Sequence, residues 1–142
     1  MMLADKQAEL IADLTLIENA QERLAALSSY VAGVQLPETE RDDALLVPGC
    51  VSRVWLHCEP VDGRARVRCA ADSPMVAGLA ALLCHLYDGS TPSEMAAVEP
   101  ELWRACGFEK MLSPTRLNGL ASMRSCLRDW AARQIPLAAS PQ

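Results

Sequence analysis

Between Arg53 and Cys69 the side chains alternate with period two, and this constrains the fold more than any other feature of the chain. In Arg53-Val54-Trp55-Leu56-His57-Cys58, Val54, Leu56 and Cys58 share one face of a strand while Arg53, Trp55 and His57 share the other. Glu59-Pro60-Val61-Asp62-Gly63 reads as a turn. In Arg64-Ala65-Arg66-Val67-Arg68-Cys69 the arginines then face away from Ala65, Val67 and Cys69. Two such runs around a turn predict an antiparallel hairpin with one wet face. Leu45-Leu46-Val47 is placed to add a short third strand. The three arginines read as a solvated strand face rather than an anion site.

Helical patterns flank the hairpin. Leu10, Ile11, Leu14 and Ile17 predict an amphipathic helix over residues 4–18. Leu24, Leu27 and Val31 predict a second over about 21–31, ended by Gly33. Residues 34–44 are polar, contain Pro37, and read as a loop. Downstream, Ser73-Pro74, Thr91-Pro92 and Ser113-Pro114 each put a hydroxyl before a proline at a first helical position, where the missing N–H costs nothing. Thr91 with Glu94 completes a capping-box pattern. Helices are predicted over 74–87, from 92, over 99–105, and from 114 to about 133. The last turns Leu117, Leu120, Leu127 and Trp130 inward and Arg116, Arg124, Arg128 and Arg133 elsewhere. Helices, a small antiparallel sheet, then helices give an α+β fold rather than a βαβ one. At 142 residues, 51% of them hydrophobic, the chain fits one domain with a real core. We place that domain at residues 1–135, with a frayed tail over 136–142.

Charge narrows the function. The net charge is −5, with −6 over residues 1–43 and +4 over 104–142. An acidic chain is a poor non-specific binder of nucleic acid, and the asymmetry reads as two solvated faces that attract each other. No apolar run approaches the roughly 20 residues of a membrane span. The segment Met1 to Lys6 has no basic region leading into an apolar one, so a cytoplasmic protein is expected.

The six cysteines stand at 50, 58, 69, 84, 106 and 126, with no CxxC pair, so a structural zinc is not expected and reduced thiols are. Cys58, Cys69, Cys84, Cys106 and Cys126 fall on apolar faces or at a helix end and read as small core hydrophobes. Cys50 differs. It follows Val47-Pro48-Gly49 on a turn, where another protein can reach it. GxGxxG, Walker A, GxSxG and HExxH motifs are all absent. His57 and His85 are not paired at ligand spacing. A cysteine hydrolase joining Cys50 to either histidine would lack a visible orienting group and oxyanion hole. Residue patterns alone therefore give a reduced α+β domain with one loop thiol, and no reaction.

Four segments add more. Val47-Pro48-Gly49-Cys50-Val51-Ser52-Arg53-Val54-Trp55 carries GC-x-S-x-V-W, and Asp72-Ser73-Pro74-Met75-Val76-Ala77-Gly78-Leu79 is near D-x-x-I-V-x-G-L. Tyr87-Asp88-Gly89-Ser90-Thr91-Pro92 and Leu112-Ser113-Pro114-Thr115-Arg116-Leu117-Asn118-Gly119-Leu120, with Met123, follow in order. Together they resemble the SufE/CsdE family of sulfur acceptors in iron–sulfur cluster assembly. Ala70, Met111 and Thr115 depart from that family's usual Asp, His and Ser. The resemblance implies a SufE/IscU-like fold and a sulfur relay. Cys50 would take persulfide sulfur from a pyridoxal-phosphate cysteine desulfurase (SufS/CsdA-like), stimulate it, and pass sulfur to an iron–sulfur scaffold complex (SufBCD-like). Gly49, Ser52, Asp72 and Arg116 would support the Cys50 loop, and Trp55 would pack it. No cofactor or metal is implied on this chain, since the pyridoxal phosphate belongs to the partner. The resting Cys50 is expected to tuck against an apolar wall and swing out on partner contact. A different class of reading makes the chain a desulfurase-binding activator that carries no sulfur. A third, a cluster scaffold, needs several cysteine ligands in one place, and the inward-facing Cys58 and Cys69 argue against it.

Overall fold

The computed structural model describes residues 2–139, with side chains through residue 135. The elements run α1 (Leu3–Thr15), α2 (Ala20–Ala25), β1 (Val54–Val61), β2 (Arg64–Ala71), α3 (Pro74–Tyr87), α4 (Pro92–Ala97), α5 (Leu102–Ala105) and α6 (Pro114–Ala139). The architecture is the predicted α+β. Among the described residues the sheet is a two-stranded antiparallel hairpin, and no helix is long and apolar enough to cross a membrane.

The hairpin pairs Leu56 with Cys69 and Cys58 with Val67, so the inward face is the one the alternation assigns. The strands run longer than expected, because Asp62 (φ 52) and Gly63 (φ 79) alone make the turn. Positive φ at both central residues matches the right-handed twist of the strands. The third strand does not form. Leu46 makes a single bridge to Trp55, and Val47 N–H donates to the Val54 carbonyl at 2.8 Å. The outer face is also not uniformly wet. Leu36, 1% exposed, packs with Trp55 and Ala70 there, supported by Leu45 and Leu46. The loop over 34–47 thus covers one end of the sheet.

Helix α3 is the centre of the molecule. Ala80, Ala81, Leu82, Leu83, Cys84, Leu86 and Tyr87 are fully buried, against β2 on one side and residues 26–34 and α1 on others. Each buried leucine contributes about 1.5–3 kcal/mol. The second predicted helix departs from expectation. It is α-helical only to Ala25 and continues as 3-10 turns over Ala26–Tyr30 and Ala32–Val34, which run through Gly33. A Cβ on Gly78 of α3 would sit 3.2 Å from Leu27 Cβ, so the segment presses directly on α3 backbone. Of the three hydroxyl–proline starts, Thr91 forms its capping box with Glu94 and Ser113 Oγ accepts from Arg116 N–H at 3.2 Å. Ser73 makes no side-chain cap bond.

Helix α6 passes the predicted end, and its backbone continues through Ala139. The rest of the tail, residues 140–142, lies outside the described residues. One inward residue of α6 was expected elsewhere: Arg124 is 4% exposed. It donates to the Met95 carbonyl at 2.8 Å and the Ala96 carbonyl at 3.3 Å, which end α4, and pairs with Glu99 at 2.9 Å. Its guanidinium lies 4.9 Å from the Tyr87 ring centroid. Arg128 and Arg104 likewise pair with Glu99 and Glu101. Among the described residues, three of the six basic side chains of 104–142 thus pair with acids from the middle of the chain, and none pairs with an acid of residues 1–43. On the hairpin, Arg64 donates to the Gly89 carbonyl, Arg66 pairs with Glu59 and Arg68 with Asp88, so the strand arginines are structural.

Candidate functional site

The chain leaves Val47, turns at Pro48-Gly49, and returns to β1 at Val54. Gly49 sits at φ +80, a conformation that favours glycine, and a Cβ there would stand 3.7 Å from Ser122 Oγ of α6. Two backbone bonds fix the feet of this loop. One is Val47 N–H to the Val54 carbonyl, and the other is Asp72 N–H to the Arg53 carbonyl at 3.0 Å. Between them the chain protrudes, and Val51 is 84% exposed.

Cys50 turns the other way. Its side chain is half-buried, with Sγ 3.8 Å from the Gly119 carbonyl oxygen and 3.5 Å from the place a Gly119 Cβ would occupy. The thiol lines a cavity of about 160 Å³ with an apolar wall of Val54, Val76, Leu79, Leu120 and Met123. Its polar side is Ser52, Ser113, Thr115 and Arg116. Burial pushes the Cys50 thiol above its ordinary value, and a charge on Cys126 would add to the shift. Burial thus disfavours the thiolate of the resting sulfur, on a loop whose next residue is exposed.

Of the residues singled out in the sequence, Cys50, Ser52 and Arg116 meet at this cavity, and Gly49 shapes the turn that delivers the thiol. Asp72 is exposed. It meets the loop through its backbone N–H, and its carboxylate does not line the cavity. Trp55 does not pack the Cys50 loop as expected: it lies in a separate cluster with Leu36 and Ala70 and does not line the cavity, with the Arg53 guanidinium 4.9 Å from its ring centroid. Neither His57 nor His85 lines the cavity, and His85 instead stacks on Tyr30 at 5.0 Å between ring centroids. Cys69, Cys84 and Cys106 are buried, as their patterns predict, whereas Cys58 and Cys126 are half-buried. Among the described residues, no three His, Cys, Asp or Glu side chains are grouped to hold a metal ion. Residue reasoning missed Gly119 as a site residue. A glycine inside a helix costs about 1 kcal/mol against alanine, and that cost was the available signal of a close approach.

Comparisons with known proteins bear on the family and the fold. The family model SufE, described as an Fe-S metabolism associated domain, matches residues 8–131. An uncharacterized SufE-like protein of Rhizobium etli is 34% identical over 102 residues, covering 68% of this chain and 69% of that one. Another of Synechocystis sp. is 37% identical over 73 residues, which is 51% of this chain but only 46% of the relative's length. In fold, the chain is similar to the solution structure of a hypothetical protein from Thermus thermophilus. The TM-score is 0.76 at 23% identity, over 92% of this chain and 96% of the other.

Proposed function

This chain belongs to the SufE family, and on that premise we propose that Cys50 accepts sulfur from the persulfide of a pyridoxal-phosphate cysteine desulfurase. The protein stimulates that enzyme and hands the sulfur to an iron–sulfur scaffold complex. The observation that carries this reading is the placement of Cys50: a thiol turned into an apolar cavity on a loop whose next residue is 84% exposed. A carrier between two proteins needs both states, one reachable and one sheltered.

The steps follow from thiol chemistry. Docking draws the loop out, the thiol becomes solvated, and its pKa falls toward the ordinary value of about 8.5. The Cys50 thiolate attacks the terminal sulfur of the desulfurase persulfide, that S–S bond breaks, and the desulfurase cysteine leaves as a thiolate. Cys50 then holds the extra sulfur as Cys50–S–SH. The cavity, about 160 Å³, far exceeds the roughly 10–15 Å³ that admits one water, so it has room for that sulfur when the loop returns. Arg116, the one cation lining the cavity among the described residues, supplies a counter-charge to the persulfide anion. The pyridoxal phosphate belongs to the partner, and the exchange needs no cofactor on this chain. The reading places the protein in the cytoplasm, without a nucleic-acid or membrane partner.

The test is desulfurase activity in the presence of wild type and Cys50→Ser. A carrier loses its stimulation in the variant. An activator that binds without carrying sulfur keeps it, and that result overturns the reading.

A further inference from the structure

Cys50 has a second thiol, Cys126, on the helix beside it. Cys126 lies on α6, the helix against which the Cys50 loop rests, and both it and Cys50 are half-buried rather than sealed in the core. The loop touches α6 at Gly119, near Cys50 Sγ, and at Ser122, near Gly49. Residues 119, 122 and 126 follow the i, i+3, i+7 spacing that keeps positions in one stripe. Cys126 is seven residues beyond Gly119, about 10 Å along the axis at 1.5 Å per residue, and four beyond Ser122, about 6 Å. Helix geometry shortens the gap from both sides. Carbonyls point toward the C-terminal end, so a sulfur resting on the Gly119 oxygen is displaced toward Cys126. Side chains lean toward the N-terminal end, so the Cys126 sulfur is displaced back toward Cys50. The proximity is also electrostatic: a charge on Cys126 opposes ionisation of Cys50 and of Cys58.

We propose that Cys126 is a resolving thiol: a sulfur-loaded Cys50 that meets no acceptor is closed by Cys126 into a Cys50–Cys126 disulfide, with release of sulfide. This rests on the carrier reading above. The step balances without an external oxidant. The Cys126 sulfur, its proton lost to solvent, attacks the inner sulfur of Cys50–S–SH. The bond between the two persulfide sulfurs breaks, and hydrosulfide leaves with the bonding pair. Cys126 is oxidised from thiol to disulfide, the terminal sulfur is reduced to sulfide, and the Cys50 sulfur keeps its oxidation level.

A disulfide needs Cα atoms roughly 5.5 Å apart, so the loop must slide about one to two helical turns along α6. Its anchoring permits this. The bonds at Val47 and Asp72 hold its feet, while residues 48–52 belong to no strand or helix. At rest, burial disfavours both thiolates, and closure waits for the loop to move. A docked acceptor takes the sulfur first. Without one, the carrier discharges and locks until a reductant reopens it.

The test loads the full-length protein and its Cys126→Ser, Cys58→Ser and Cys50→Ser variants with inorganic polysulfide. Non-reducing peptide mass spectrometry and sulfide release are then followed over time. The wild-type Cys50 persulfide converts to a Cys50–Cys126 linked peptide, with one sulfide per link. In Cys126→Ser no link forms and the persulfide outlives wild type by about tenfold, as expected when an intramolecular route is removed. Equal lifetimes without a link, or a link from Cys50 to Cys58, overturn the inference while the persulfide itself leaves the carrier reading standing. If polysulfide never marks Cys50, the carrier reading fails on that arm, and hydrogen peroxide tests the pair alone. A Cys50 sulfenic acid then condenses with Cys126 to the same linked peptide, losing water, and its absence overturns the pairing.

Discussion

Arg124→Met removes the only buried arginine among the described residues while keeping most of its buried stem. The largest loss is at the end of α4, where the Met95 carbonyl gives up a 2.8 Å charge-assisted bond inside the protein. Leaving such a group unpaired costs about 1–3 kcal/mol. The Ala96 bond, at 3.3 Å, is weaker. The stacking on Tyr87 contributes about 1 kcal/mol. The Glu99 carboxylate is 56% exposed, so its ion pair adds under about 1 kcal/mol, and water takes over when it is lost. The expected destabilisation is about 3 kcal/mol, or roughly 9 °C in Tm for a chain of this size. Urea unfolding followed by tryptophan fluorescence measures it. Arg124→Lys should recover less than half, because a point charge cannot serve two carbonyls and a carboxylate as a planar fork does. The pH dependence has a definite sign. Hydrogen bonding from Arg124 holds the Glu99 carboxyl below its usual range. That stabilisation is therefore present above about pH 4.5 and lost as pH falls through the folded value. In Arg124→Met this acid-side loss shrinks, with Arg128 still 3.1 Å from Glu99. A cost under about 1 kcal/mol, or full rescue by lysine, would refute the capping argument.

Three further outcomes follow from local geometry. Thr91→Ala should cost about 1 kcal/mol through its capping box. Ser73→Ala should stay within about 0.5 kcal/mol, since that hydroxyl makes no cap bond; equal losses in paired melts would contradict the assignment. Alkylation of Cys50 in the free protein should keep accelerating with pH beyond the midpoint of a solvated thiol, because burial raises its pKa. Desulfurase docking should move that midpoint down toward about 8.5, and a free-protein midpoint already there would show an unsheltered thiol. Gly119→Leu projects atoms past a Cβ position only 3.5 Å from Cys50 Sγ. It should expel the thiol and speed its alkylation several-fold, while removing a helix-interior glycine worth about 1 kcal/mol. Unchanged alkylation would mean that Gly119 does not seat the thiol.

The features legible in the sequence were those set by neighbouring residues. Pro74 and Asp88-Gly89 bound α3 at the predicted positions, and the alternation fixed which hairpin face is inward. Cys50 was identified by its turn residues. The misreadings share one cause, which is contact between distant segments. The second helix tightens into 3-10 turns where Leu27 presses on Gly78. Leu36 leaves a polar loop to bury itself on Trp55. Arg124 turns inward because α4, which closes on α6, offers it unpaired carbonyls. Periodicity along α6 cannot report what another helix presents to it.

The central claim is tested most directly by mass spectrometry of the intact protein and its peptides after incubation with a cysteine desulfurase and free cysteine. The account predicts a reducible gain of one or more sulfur atoms, mapped to Cys50 and absent in Cys50→Ser. No gain on Cys50, with desulfurase activity still stimulated, would contradict it and make the protein an activator that carries nothing.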